Sequence, residues 1–86
     1  MKASEIIKTE GIQLVRMKKI EHKPGTPYQY DVKDAFTGSK KGFVYLDAFT
    51  KSAMLQVYNA LNDNQKALYD NISMKRLVDF TWKVVV

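Results

Sequence analysis

From Ile12 to Glu21 and again from Tyr28 to Phe36, apolar and polar side chains trade places at a strand-like period; after Asp47 the period lengthens to three and four. The first two stretches predict strands, and Phe43-Val44-Tyr45-Leu46 predicts a short third. The turns between them fall at His22–Pro27, marked by Pro24, Gly25 and Pro27, and at Thr37–Gly42. Ala53, Met54, Val57, Tyr58 and Leu61 then line one side of a helix from Phe49 to Leu61, capped by Asp47 or Thr50. Asp63 is placed to cap a second helix through Ala67, Leu68 and Asn71. Ser73 is placed to cap a third, carrying Met74, Leu77, Val78, Thr81 and Val85, although Phe80, Trp82 and the closing valines favour strand. A short leading helix is expected over Ser4–Gly11, with Ser4 as its cap and Gly11 as its stop.

These elements predict an α+β fold: a three-stranded antiparallel β-meander over residues 12–46, followed by two or three helices over 47–86 packed on one face of the sheet. With 86 residues the chain is read as a single domain, 1–86.

Strand parity sorts the side chains of the first hairpin. If Glu21 opposes Tyr28, then Lys19 faces Tyr30, Met17 faces Val32 and Val15 faces Asp34. The other side pairs Leu14 with Ala35, Arg16 with Lys33, Lys18 with Asp31 and Ile20 with Gln29. A slip of one residue would mix the two faces, which patterning disfavours. Tyr28, Tyr30, Phe43 and Tyr45 are therefore expected in or beside the core, with the cations on the wet side. Leu14, Ile20, Val44 and Leu46 are expected away from the helices, where an apolar patch would favour a homo-oligomer.

Charge sharpens this reading. The net charge is +5, and the excess lies early: residues 1–42 hold nine cations against five acids, and residues 43–86 hold five against four. Arg16, Lys18, Lys23, Lys33, Lys40 and Lys41 form the candidate binding surface; Trp82 is expected to pack in the core, or else to join that surface as an exposed aromatic anchor. Such cations attract nucleic-acid phosphates or an acidic protein.

Little in the chain points to catalysis. Cysteine is absent, which removes disulfides, thiolate nucleophiles and sulfur-ligated metals. Gly38 and Lys40 combine with Thr37 and Ser39 in a turn that leads into a strand, unlike a phosphate loop, which opens a helix. His22 has no identifiable nucleophile or orienting partner, and the carboxylates are scattered without acid–base or metal-ligand spacing. No enzymatic activity, cofactor or metal is expected. Neither a signal peptide nor a stretch of roughly 20 apolar residues is present, so no membrane association is expected and Asn71-Ile72-Ser73 is read as a chance glycosylation match.

Residues 46–85, LDAFTKSAMLQVYNALNDNQKALYDNISMKRLVDFTWKVV, resemble the C-terminal part of small uncharacterised proteins encoded by phages and prophages of Gram-positive bacteria. The likeness rests on AFTKSA leading to VYNALND and on the spacing to LVDFTWKVV, all packing positions. It implies a mobile-element accessory role in the cytoplasm of a bacterial host. The expected function is a non-enzymatic interaction module that binds a host or phage protein of acidic character. The alternative is a sequence-tolerant nucleic-acid binder using the basic hairpin face.

Overall fold

Leu14 and Val15 are adjacent and both buried, which requires cover on two sides of one strand; that strand is the middle of the sheet. A computed structural model describes residues 1–18, 23–35 and 41–85. The elements run α1 (Ala3–Ile6), β1 (Gln13–Met17), β2 (Tyr30–Asp34), β3 (Val44–Leu46), α2 (Ala48–Ala60), α3 (Asp63–Tyr69) and α4 (Met74–Val84). Lys19, Ile20, Glu21, His22 and the Thr37–Lys40 turn lie outside the described residues.

The α+β class is as expected: a three-stranded antiparallel sheet, followed by helices. The strand order is not that of a meander. β1 lies between its neighbours in the order β2-β1-β3 and runs antiparallel to both. Central placement suits a strand whose consecutive side chains are both dry. The edge suits β3, which has three residues and leaves Val44 and Tyr45 exposed.

The hairpin register pairs Met17 with Tyr30, Val15 with Val32 and Arg16 with Asp31. It lies two residues from the register that patterning predicts, so every pair changes while no side chain changes face. Arg16 thereby replaces Lys18 opposite Asp31. Beyond the hairpin pairing, the outer edge of β2 is tied elsewhere: the Tyr30 N–H donates to the Met1 carbonyl at 2.9 Å and the Tyr28 N–H to the Asp70 carbonyl at 2.8 Å. Lys18 N–H still reaches the Gln29 carbonyl at 2.9 Å, but the strands proper end at Met17 and Tyr30.

Each helix is held by a different device. Asp47 caps α2 by accepting the Thr50 N–H at 2.7 Å, and hydrogen bonds from Thr50 hold its carboxyl below the ordinary carboxylate value. Asn62, not Asp63, caps α3, in a reciprocal pair with Gln65 at 2.8 and 3.0 Å. Asp63 becomes the first helical residue, where its charge favours the positive helix end. Ser73 occupies the cap position of α4 without a side-chain bond, and the Tyr30 hydroxyl accepts the Met74 N–H at 2.8 Å instead. α4 continues through Phe80 and Trp82 because Met74, Leu77 and Thr81 are buried along one stripe; packing overrides the strand preference of its last turns.

α1 is shorter than the expected Ser4–Gly11 helix, and Ser4 is not its cap. Ser4 instead donates its N–H and hydroxyl to the two oxygens of Asp70, at 2.8 and 2.6 Å. The chain turns beyond Ile7, and Gly11 takes φ +87°, a conformation that favours glycine. Ala3 and Ile6 of α1, Met54 of α2, Tyr69 of α3, and Met74 and Leu77 of α4 join Val15, Tyr30 and Leu46 in one core. All four helices therefore cover the same face of the sheet. No helix among the described residues is long and apolar enough to cross a membrane.

Candidate nucleic-acid interface

The face of the sheet away from the helices is built from alternate residues of each strand, and Leu14 is buried on it. Arg16 of β1 and Asp31 and Lys33 of β2 share it, as their parity predicts. β3 joins through Val15–Val44 and Gln13–Leu46, so β1 sets its parity as well. Leu46 turns to the core and Val44 to the helix side, while Tyr45 and Phe43 turn outward. This is the reverse of the sides expected for the third strand. Tyr28 and Tyr30 do pack with the core, but Phe43 and Tyr45 stand among the cations.

The Phe43 ring organises these cations. The Arg16 guanidinium carbon lies 4.5 Å from its centroid and the Lys33 Nζ lies 4.3 Å away, within cation–π range. Arg16 Nη2 also donates to Asp31 Oδ2 at 3.3 Å, in a partly exposed ion pair. Gly42 precedes Phe43 with φ +79°, a conformation that favours glycine. The turn delivers Phe43 onto the arginine. Two positions along, Tyr45 is 54% exposed.

The other expected site residues are dispersed. Lys18 is exposed just past the end of β1, with the parity of Arg16, and Lys41 is exposed beside Gly42. Lys23 belongs to a turn closed by Thr26 N–H to Lys23 O at 3.2 Å and tied to the helical layer by Asn71 Nδ2 to Gly25 O at 3.4 Å. It is not part of the Phe43 cluster. Trp82 lies on α4 and stacks on Phe49, with centroids 5.7 Å apart and planes 18° from parallel. Lys40 falls outside the described residues. The self-association patch is not assembled, because Leu14 is buried on the outer face while Val44 and Leu46 face the helix side.

Lys51 was not among the expected site residues. Its side chain is 2% exposed, and its ammonium donates to Thr9 Oγ1 at 2.9 Å, Gly11 O at 3.0 Å and Gln13 Oε1 at 2.9 Å. Three neutral acceptors saturate its three protons, and burial lowers its pKa. It is a structural tie between α2 and the chain entering β1. The sequence signal was its spacing, since Lys51, Met54 and Tyr58 follow one helical stripe. Burial also raises the pKa of Tyr30 and Tyr69, and the Tyr69 hydroxyl has no hydrogen-bond partner among the described residues.

Chemically, the outer face offers fixed positive charge beside an exposed aromatic ring. Among the described residues no cluster of three or more His, Asp or Glu side chains is placed to hold a metal ion. No protein-family model matches the chain, and neither a curated protein nor a solved structure matches it significantly.

Proposed function

We propose that the outer sheet face binds single-stranded nucleic acid with little sequence preference. The observation that carries this reading is the shared face of Arg16, Lys33, Phe43 and Tyr45. Single-strand binders combine cations that hold the backbone with an aromatic surface on which bases stack. Here Phe43 holds Arg16 and Lys33 in place for phosphates, and Tyr45 supplies the accessible ring. Asp31 moderates the charge, and the face has few groups suited to reading base edges, hence the weak sequence preference. Phosphate contacts by Arg16, Lys18 and Lys33 correspond to a log–log salt slope of about −2 for a single strand.

Fluorescence anisotropy with labelled dT20, a matching RNA and a duplex, at about 50 and 200 mM salt, tests the proposal. Single strands should bind more tightly than duplex and weaken with salt. No binding at the lower salt, or a preference for duplex, would overturn it.

A second reading is a non-enzymatic accessory protein, of phage or prophage origin, that binds an acidic host or phage protein. The Phe49–Trp82 stack favours it, because Phe49 is 74% exposed and the pair lies on the helical layer, where it could anchor a partner without the sheet cations. That association would depend on Trp82 and not on Tyr45.

A further inference from the structure

The chain between Tyr69 and Met74 turns from α3 into α4, which packs on α2, and leaves an open cleft of ≈ 460 Å³ between α3 and α4. Leu61, Leu68, Ile72 and Phe80 line it above the buried Tyr69 and Leu77. Leu68 is 59% exposed and Phe80 47%, so the apolar wall is open to solvent. Among the lining residues, only Gln65 carries an amide and only Arg76 a charge. Arg76 has no ion pair among the described residues. The carboxylates on these helices do not answer it: Asp63 and Asp79 are not in the lining, and Asp70 is held by Ser4.

We propose that this cleft docks an amphipathic helix of a partner protein, with an apolar face on Leu68, Ile72 and Phe80 and a carboxylate meeting Arg76. Charge complementarity selects an acidic occupant, because a guanidinium beside an apolar wall is best answered by a carboxylate that forms paired hydrogen bonds. Backbone chemistry selects a helix. The walls are helices whose own backbone groups are already bonded, and Gln65 and Arg76 could not satisfy the N–H and C=O groups of an extended peptide. A helix satisfies its own backbone and can set its side-chain ridges into the groove between two others. The site lies on the helical layer and does not depend on the reading of the sheet face.

The test pans the purified chain against a phage-displayed library of random peptides about 16 residues long, a length that spans several helical turns. Enriched peptides should carry apolar residues at helical spacing with an Asp or Glu beside them. One such peptide, synthesised, should gain helical circular dichroism on binding and shift the amide resonances of residues 61–80. Arg76→Glu should weaken it at least about tenfold, equivalent to about 1.4 kcal/mol. Changing the peptide's acid to lysine should restore binding to that variant. Leu68→Ser, at an exposed position that tolerates change, should weaken binding independently of charge. The proposal is overturned if no peptide is enriched, if the enriched peptides lack an acid, or if binding ignores both substitutions. It is equally overturned if light scattering finds a dimer that Leu68→Ser dissociates, or if Leu68→Ser abolishes binding to anionic vesicles. Those results would assign the cleft to a second copy or to lipid.

Discussion

The hydroxyl of Tyr30, a strand residue, accepts the backbone N–H of Met74 at the start of α4, at 2.8 Å in the buried core. A phenol thus satisfies one of the N–H groups that a helix start leaves without an intrahelical partner, and it joins the sheet to the last helix through one bond.

Tyr30→Phe removes that acceptor and keeps the ring. The Met74 N–H is then buried without a partner, which costs about 1–3 kcal/mol. Urea unfolding followed by the fluorescence of Trp82, the single tryptophan, measures the change. A midpoint unchanged from the parent chain would mean that Ser73 or water caps α4 instead.

Alkaline conditions report on the same bond. Burial raises the Tyr30 and Tyr69 pKa values above the ordinary 10.0, so the folded chain holds these protons more tightly than the unfolded chain does. Their contribution is intact below that value and is lost as pH rises above it. Lys51 acts in the opposite sense: its pKa is lowered from 10.5, so rising pH relieves part of its burial cost. With two tyrosines against one lysine, stability should fall above the ordinary tyrosine range. The fall should be shallower in Tyr30→Phe and steeper in Lys51→Met. Urea midpoints taken from neutral pH into the alkaline range would show this, and parallel curves for the parent and Tyr30→Phe would refute it.

At Lys51, replacement by methionine fills similar space, removes the donor to Gly11 O and leaves Gln13 Oε1 with only the Thr9 hydroxyl at 2.7 Å. The loss of hydrogen bonds to a charged group should outweigh the relief of burying an ammonium, for a net loss of about 1–3 kcal/mol. Hydrogen exchange should quicken first at the amides of residues 9–13. A neutral or stabilising substitution would show that the burial cost dominates.

On the outer face, Tyr45→Ala and the Arg16→Ala/Lys33→Ala pair should separate stacking from charge. Losing Tyr45 should weaken single-strand binding by about 1–3 kcal/mol with the salt slope kept. Losing the two cations should flatten that slope by about 1.4. If Tyr45→Ala binds like the parent chain, bases do not stack there and the sheet face acts through charge alone.

Parity and punctuation carried much of the fold. The helical stripe through Met54 and Val57, the cap at Asp47 and the separation of Tyr30 from Arg16 all follow from local spacing. What spacing could not supply was the neighbour of β3. A strand of three residues fits beside β1 or β2 equally well, and that choice decides whether Tyr45 points into the core or out among the cations. Long-range bonds were equally silent: nothing around Ser4 announces Asp70, and nothing around Ser73 announces that Tyr30 will take over its capping role. The cleft at Arg76 depends on how α3 meets α4, which is a tertiary angle.

The tie between Ser4 and Asp70 crosses 66 positions, and that between Tyr30 and Met74 crosses 44. A chain emerging from the ribosome therefore presents its hairpin before α2, α3 and α4, three of the four helices that cover it, have been made. An isolated hairpin is marginal in water, so Val15 and Leu46 wait wetted until α3 and α4 arrive. The nascent protein passes through a stage in which its future core is open to chaperones, and folding is completed only after residues 70–77 are free to move.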